Sequence, residues 1–285
     1  MDDPMAPHFV RCPPRGRVST LGRPGGTDMT PGDQSKRRFL LGAGSLGALF
    51  LTGCDRLSET EWFPKVLRSS ETLSRGVHRL LGSRPSMAQE FTEADLSPFF
   101  RSNGTSMPEG EEYQALAKNG FADWQLEVGG LVEKPVKLSL AELRAMPRRT
   151  QITRHDCVEG WSAIGKWTGV PLSNVLAMVK PQASARYVVF HCADAMGGSL
   201  TPEYYYESID MDDAMHPQTI LAYGLNGKDL PIPNGATIRL RVERQLGYKH
   251  AKYVMRIELV ENFANIAGGK GGYWEDNGYQ WYAGI

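Results

Sequence analysis

From Phe121 onward the chain is cut by glycine, proline and Asn-Gly into short runs that alternate apolar and polar residues. Such a chain must build sheets with one buried face, because side chains on a strand alternate between its two sides. Phe121 to Val128 places Phe121, Trp124, Leu126 and Val128 in such a run before Gly129-Gly130, and Val136 to Leu138 follows Lys134-Pro135 as a second short strand. Gln151-Ile152-Thr153 opens a strand towards Cys157, and Tyr187 to Phe190 leads into His191-Cys192-Ala193-Asp194. Thr219 to Leu225 and Asp229 to Ile232 flank Asn226-Gly227, the dipeptide of a tight hairpin. Thr237 to Val242 turns Ile238, Leu240 and Val242 inward against Arg239 and Arg241, and Tyr253 to Val260 alternates likewise. Helical signals are brief. Ser139-Leu140-Ala141-Glu142 is a capping box that opens a helix to Met146, closed by Pro147. Pro171 to Val179 carries Leu172, Val175, Leu176 and Val179 on one face, and Asp210 to Met215 makes a helical turn. Many strands, short helices, no regular βαβ alternation and no internal repeat predict an α+β fold with a mixed, partly barrel-like sheet.

The chain has 285 residues, room for one large domain or two small ones, and its 32 basic residues balance 32 acidic ones. That balance gives no electrostatic basis for nucleic-acid binding. The first 30 or so residues are too poor in aliphatics to bury a core and are expected to be disordered, with Met29 as an alternative start. Gln34 to Cys54 sets Lys36, Arg37 and Arg38 before an apolar, Gly/Ala-rich run, Phe39 to Leu51, which is the build of an export signal. S-K-R-R-F-L resembles a twin-arginine signal, and Leu51-Thr52-Gly53-Cys54 resembles a lipobox, which would make Cys54 a lipidated N-terminus. The expected division is a leader over 1–54, a tether over 55–94 with short helical pieces around Trp62 to Leu81, and one domain over 95–285. Of four cysteines, Cys12 and Cys54 fall in the leader, leaving Cys157 and Cys192, too few for a disulfide framework.

The chemistry concentrates in Thr150 to Gly169, TQITRHDCVEGWSAIGKWTG. A strand delivers one cysteine, Cys157, and Trp161 and Trp167 bracket a Ser/Gly-containing loop after it. A thiolate at a strand end among large aromatics suits a metal that takes one sulfur ligand in a dry pocket. His155-x-Cys157 with His191-Cys192 has the residue types of a zinc site but neither C-x-x-C nor H-x-x-x-H spacing. Cys157 as a nucleophile with His155 or His191 as base has no sequence signature behind it.

The strings C-V-E-G-W-S and W-T-G-V-P-L resemble the molybdenum-binding segment of the sulfite oxidase family, in its bacterial branch related to periplasmic methionine sulfoxide reductase catalytic subunits. The resemblance spans about residues 95 to 285 and implies a sulfite-oxidase-type domain that binds molybdopterin, with Cys157 as catalytic residue and metal ligand. It makes the stretch SPFFRSNGTSMPEGEE the loop that holds the pterin, through Phe99, Phe100, Arg101, Ser102 and Asn103, although Gly104 stands where the family has histidine. It implies that Asn234, Arg239 and His250-Ala251-Lys252 bind the cofactor and its phosphate, with the family's spacing kept, and that a polar side chain at Cys192 or Asp194 touches the pterin. The implied activity is two-electron oxygen-atom transfer by an exported enzyme, on an S- or N-oxide; the alternatives are sulfite oxidation, or a metal-free binding protein that keeps the fold. Glu159 and Trp161 follow the cysteine where sulfite oxidases read C-x-G-N-R, which disfavours dianionic sulfite. The chain ends at Ile285 soon after the last predicted strand, which leaves out the immunoglobulin-like domain of sulfite oxidases. The aromatic tail GGYWEDNGYQWYAGI is placed to line a pocket for a neutral small-molecule substrate. Electrons are expected from a partner such as a cytochrome or a membrane haem subunit, since the chain carries no C-x-x-C-H motif. The expected location is periplasmic or extracytoplasmic, with membrane attachment only through the leader or a lipidated Cys54.

Overall fold

The computed structural model describes residues 60, 62–81, 86–197 and 203–285. Cys12, the basic cluster of the leader and Cys54 lie outside the described residues. The chain divides into two units, Met1–Lys65 and Val66–Ile285. Of the first, only Thr60 and the opening turn of a helix, Trp62–Leu81 (α1), are described. The short helical pieces expected here are one continuous helix.

The second unit is built on two sheets. One has the order β2-β1-β10-β5-β6, made of β1 (Gln125–Gly130), β2 (Val136–Ser139), β5 (Tyr187–Met196), β6 (Glu203–Asp210) and β10 (Val254–Val260). The other runs β3 (Arg149–Cys157), β4 (Trp161–Pro171), β7 (Ile220–Leu225), β8 (Lys228–Asp229), with β9 (Arg239–Arg241) also paired to β7. β1 and β10 pair in parallel and the other ladders are antiparallel, so the expected mixed sheet with short helices is present. The helices are α2 (Glu111–Lys118), α3 (Leu140–Ala145), α4 (Leu172–Val179), α5 (Met211–Ala214) and α6 (Tyr273–Asp276).

Local sequence explains several ends. Ser139 Oγ accepts from Glu142 N at 3.2 Å while Ser139 N donates to Glu142 Oε2 at 2.8 Å, so the predicted capping box opens α3. α4 buries Leu172, Val175, Leu176 and Val179, the predicted face, in a core shared with Trp124, Leu126, Phe190, Ile257 and Leu259. Phe121 does not start a strand; its φ of 62° puts it in the turn before β1. The second hairpin arm is Lys228–Asp229 rather than Asp229 to Ile232, because Pro231 and Pro233 turn the chain into a short 3-10 helix at Ile232–Asn234. The stretch between Trp161 and Trp167 is not a loop. It is part of β4, an eleven-residue strand paired along all of β3.

The largest correction concerns β9. Arg239 and Arg241 are as fully buried as Leu240 between them, so neither face of this strand meets solvent. The positive charges are tolerated there because each is paired or hydrogen-bonded inside the protein.

Candidate functional site

The β3–β4 hairpin positions the thiol. Gly160 takes φ 85°, and its N–H donates to Cys157 O at 3.0 Å, closing a three-residue turn at Val158-Glu159-Gly160. Gln151, Thr153, His155 and Cys157 share the buried face of β3, as a period of two requires. Cys157 and Cys192 are both free thiols. Burial pushes the Cys157 thiol up from its usual value, partly opposed by a backbone hydrogen bond at Glu159. A bound cation would favour the thiolate form.

Cys157 opens onto a cavity of ≈ 180 Å³. Its walls come from the turn after Cys157, the loop Asn103-Gly104-Thr105, the end of β5 (Asp194, Met196), Tyr205 of β6, and Gly247, Tyr248, His250 and Lys252. Trp274 and Tyr279 close it, so the aromatic tail does contribute to the pocket. Glu159 is the acidic side chain at the rim, and its Oε2 accepts from Trp161 Nε1 at 2.9 Å.

The residues proposed for the cofactor separate in space. Asn103, Asp194, His250 and Lys252 line the cavity with Cys157. Cys192 does not; it faces a different cavity with His191 and Tyr204, which favours Asp194 of the two alternatives. Phe99 is 75% exposed and does not line the cavity. Phe100 is buried beneath the hairpin, edge-on to Trp167 at 5.0 Å, against Gly165 where no side chain would fit. Arg101 lies over Trp161 at 6.0 Å, and Ser102 Oγ donates to Pro233 O. Ala251 is core, and its carbonyl accepts from Leu240 N at 2.8 Å. Lys249 is drawn away from the site: its ammonium pairs with the buried carboxylates of Glu207 and Glu275.

Arg239 and Lys252 hold the loops together through carbonyls. Arg239 Nη1 donates to Asn234 O at 3.1 Å and Nη2 to His250 O at 3.2 Å. Lys252 Nζ donates to Asn103 O at 2.6 Å and Pro233 O at 3.0 Å, tying the Asn103 loop to the turn before β9. Burial, then Arg241, lowers Arg239 to about 9, which still leaves it charged at neutral pH. Burial, then Arg239, lowers Lys252 to about 7, and burial raises Asp194 to about 6.

These side chains fit a polar, phosphate-bearing cofactor on one structural test. Asn103 Oδ1, Asp194 Oδ1, Asn234 Nδ2, Arg239 Nε and His250 Nδ1 are all buried without a hydrogen-bond partner. Unpaired buried polar atoms are costly, and Asn103, Asp194 and His250 bring three of these to the wall of one cavity, where a polar ligand would satisfy them together. Gly235, with φ 112°, adds a cradle: a Cβ there would stand 2.9 Å from Lys252 Cβ and 3.1 Å from Arg239 Cβ. Among the described residues no three His, Cys, Asp or Glu side chains converge to hold a metal by themselves. Sequence reasoning missed Met196 and Tyr205, and neither carries a periodic or motif signal in the sequence.

The family profile described as "Oxidoreductase molybdopterin binding domain" matches residues 114–265, which take in Cys157, Asp194, Arg239 and Lys252. The chain is 37% identical over 251 residues, 88% of each partner, to the putative protein-methionine-sulfoxide reductase subunit YedZ1 of Azospira oryzae. It is 43% identical over 145 residues to the protein-methionine-sulfoxide reductase catalytic subunit MsrP of Ralstonia nicotianae, covering 48% of this chain and 44% of that one. MsrP of Xanthomonas axonopodis is 42% identical over 154 residues, 52% and 48% of the two chains, so this chain aligns with about half the length of either MsrP. A solved structure, the sulfane dehydrogenase SoxCD of Paracoccus pantotrophus, is similar at 25% identity and a TM-score of 0.44, over 49% of this chain and 39% of that one. This chain belongs to the molybdopterin-binding oxidoreductase family, as an oxidoreductase whose cofactor is molybdopterin.

Proposed function

We propose that the chain reduces S-oxides: a sulfoxide, two electrons and two protons become a thioether and water. The observation that carries this reading is the cavity itself, where one thiol faces aromatic and thioether side chains and a carboxylate. The names of the relatives point to the same substrate class, the sulfoxide of methionine in proteins. When bound, molybdopterin supplies a two-electron metal centre that exchanges an oxygen atom. The residues of the chain bind, orient and exclude water around it. Cys157 is the metal ligand in this account. Asn103, Asn234, Arg239, His250 and Lys252 take the cofactor's polar groups, and Asp194, raised by burial to about 6, exchanges a proton beside it at mildly acidic pH. Ser102 and Ala251 position those residues through backbone bonds, and Phe100 and Arg101 brace the hairpin.

Trp274, Tyr248, Tyr279 and Met196 suit a neutral, weakly polar substrate, while Glu159 at the rim repels a dianion. Steady-state turnover of metal-loaded protein with sulfite against a panel of S- and N-oxides tests the reading. Reduction of sulfoxides with poor sulfite oxidation is expected. Sulfite oxidation with a micromolar KM, at the tight end of the usual range, overturns it.

No helix among the described residues is long and apolar enough to cross a membrane. The electron donor in this proposal is a separate haem protein, either a membrane subunit or a cytochrome. The basic cluster and apolar run of the leader support export to the periplasmic side, with attachment through the leader or Cys54. Replacing Arg37 and Arg38 together by lysine should trap the protein in the cytoplasm; normal fractionation of that variant contradicts the twin-arginine route.

A further inference from the structure

His155 stands two residues before Cys157 on the same buried face of β3. Its Nδ1 lies 2.8 Å from Arg241 Nη1. A guanidinium only donates, so Nδ1 is the acceptor and the ring proton sits on Nε2. Arg241 is itself fixed. Its Nε donates to Glu243 Oε1 at 2.9 Å, its Nη2 donates to Oε2, and Gln151 Nε2 donates to the same carboxylate at 2.8 Å. The Trp167 ring lies 4.3 Å from the guanidinium, and both members of the Arg241–Glu243 pair are fully buried. The fold therefore sets the tautomer of His155.

The resulting Nε2–H is 1% exposed at residue level and has no acceptor in the protein. A buried N–H without an acceptor is destabilising, and one held in place by three further side chains has a use outside the chain. Gly247 packs closely against this edge of the ring. A Cβ on Gly247, which lines the cavity with Cys157, would come 2.6 Å from Nε2 and 2.7 Å from Cε1. The His250 ring lies 5.0 Å away, centroid to centroid. Its Nε2 lies 3.1 Å from both Val242 O and Gln245 O and so carries the proton, which leaves Nδ1 as an unpaired acceptor. Two neighbouring histidine rings thus carry one unpaired donor and one unpaired acceptor, and the Nε of Arg239 is unpaired as well.

We infer that His155 is a further cofactor-binding residue: its Nε2–H donates to an oxygen of bound molybdopterin, beside Gly247 at the wall of the cavity that Cys157 opens onto. The inference rests on the cofactor reading above. The accepting oxygen belongs either to the cofactor's phosphate or to the pterin carbonyl. The cations acting on this ring are Arg241, Arg239 and Lys252, which favours the phosphate.

The test uses full-length protein purified from a host that makes the cofactor. Bound pterin is measured by fluorescence after release and oxidation, folding by thermal unfolding, and the cofactor's environment by its ³¹P resonance. His155→Phe should fold and retain roughly tenfold less pterin, the loss of one charge-assisted hydrogen bond. His155→Gln, whose amide nitrogen reaches the place of Nε2, should recover most of it, and Gly247→Ala should lose it as the phenylalanine variant does. A folded His155→Phe with wild-type pterin content overturns the inference, as does a glutamine variant no better than phenylalanine. If the phenylalanine variant does not fold, full pterin content in Gly247→Ala overturns it instead. A ³¹P resonance that moves in His155→Gln assigns the phosphate; an unmoved resonance with reduced pterin in His155→Phe assigns the carbonyl. Wild-type protein without any pterin overturns the cofactor reading itself, a result separable from equal loading of wild type and variants.

Discussion

Asp194 and Lys252 face the same cavity with opposite charge and opposite perturbation. Burial raises the Asp194 carboxyl from its ordinary 3.8 to about 6, so the folded protein holds its proton over a range where the unfolded chain releases it. The stability this contributes is fully present below about pH 3.8 and is lost as the pH rises through about 6. Lys252 runs the other way. Burial lowers it to about 7, so its contribution is present at alkaline pH and is lost as the pH falls through about 7. Cofactor-free wild type should therefore lose stability between about pH 4 and 6 relative to Asp194→Asn, by about 3 kcal/mol. Urea unfolding of both proteins across that range measures it; a pH-independent difference contradicts the burial of an ionisable Asp194. An anionic group near Lys252 favours its charged form, which is one physical reason for placing a phosphate there.

At the scale of elements, the sequence was most legible where a local rule decides alone. Ser139 with Glu142 announced α3, the spacing of Leu172, Val175, Leu176 and Val179 announced α4, and Asn226-Gly227 announced a hairpin. It was least legible where tertiary pairing decides. β4 carries Ser162, Gly165, Lys166 and Gly169, a poor strand composition, yet it is a strand because β3 and β7 pair with it on both sides. Gly169 shows why glycine stands there: a Cβ would lie 2.2 Å from Leu221 O, on the backbone of the neighbouring strand. β9 misled for a related reason. Alternation of arginine with aliphatics ordinarily marks a wet face, but Arg239 and Arg241 stack on Trp167 and bond to carbonyls, a carboxylate and a histidine. Among the candidate site residues, the spacing of Asn234, Arg239 and Lys252 held as one cluster. Phe99 and Cys192 do not line the cavity with Cys157, because a residue's neighbour in sequence says little about which wall it faces.

On the scale of the whole molecule, both sheets contribute to one cavity. Cys157 comes from the sheet of β3 and β4, Asp194 and Met196 from the end of β5 in the other, and Trp274 and Tyr279 from the C-terminal segment. The buried ions Arg241–Glu243 and Lys249 with Glu207 and Glu275 fix the segments on either side of β9 without entering the site. Central to the proposed function is that the Cys157 sulfur, a free thiol in this structure, ligates the metal. Molybdenum-edge X-ray absorption of the purified protein and its Cys157→Ser variant tests that claim most directly. The account predicts one fewer sulfur neighbour at the metal in the variant, with turnover lost, and no such change in Cys192→Ser. A Cys157→Ser protein with the same sulfur count and full turnover contradicts it.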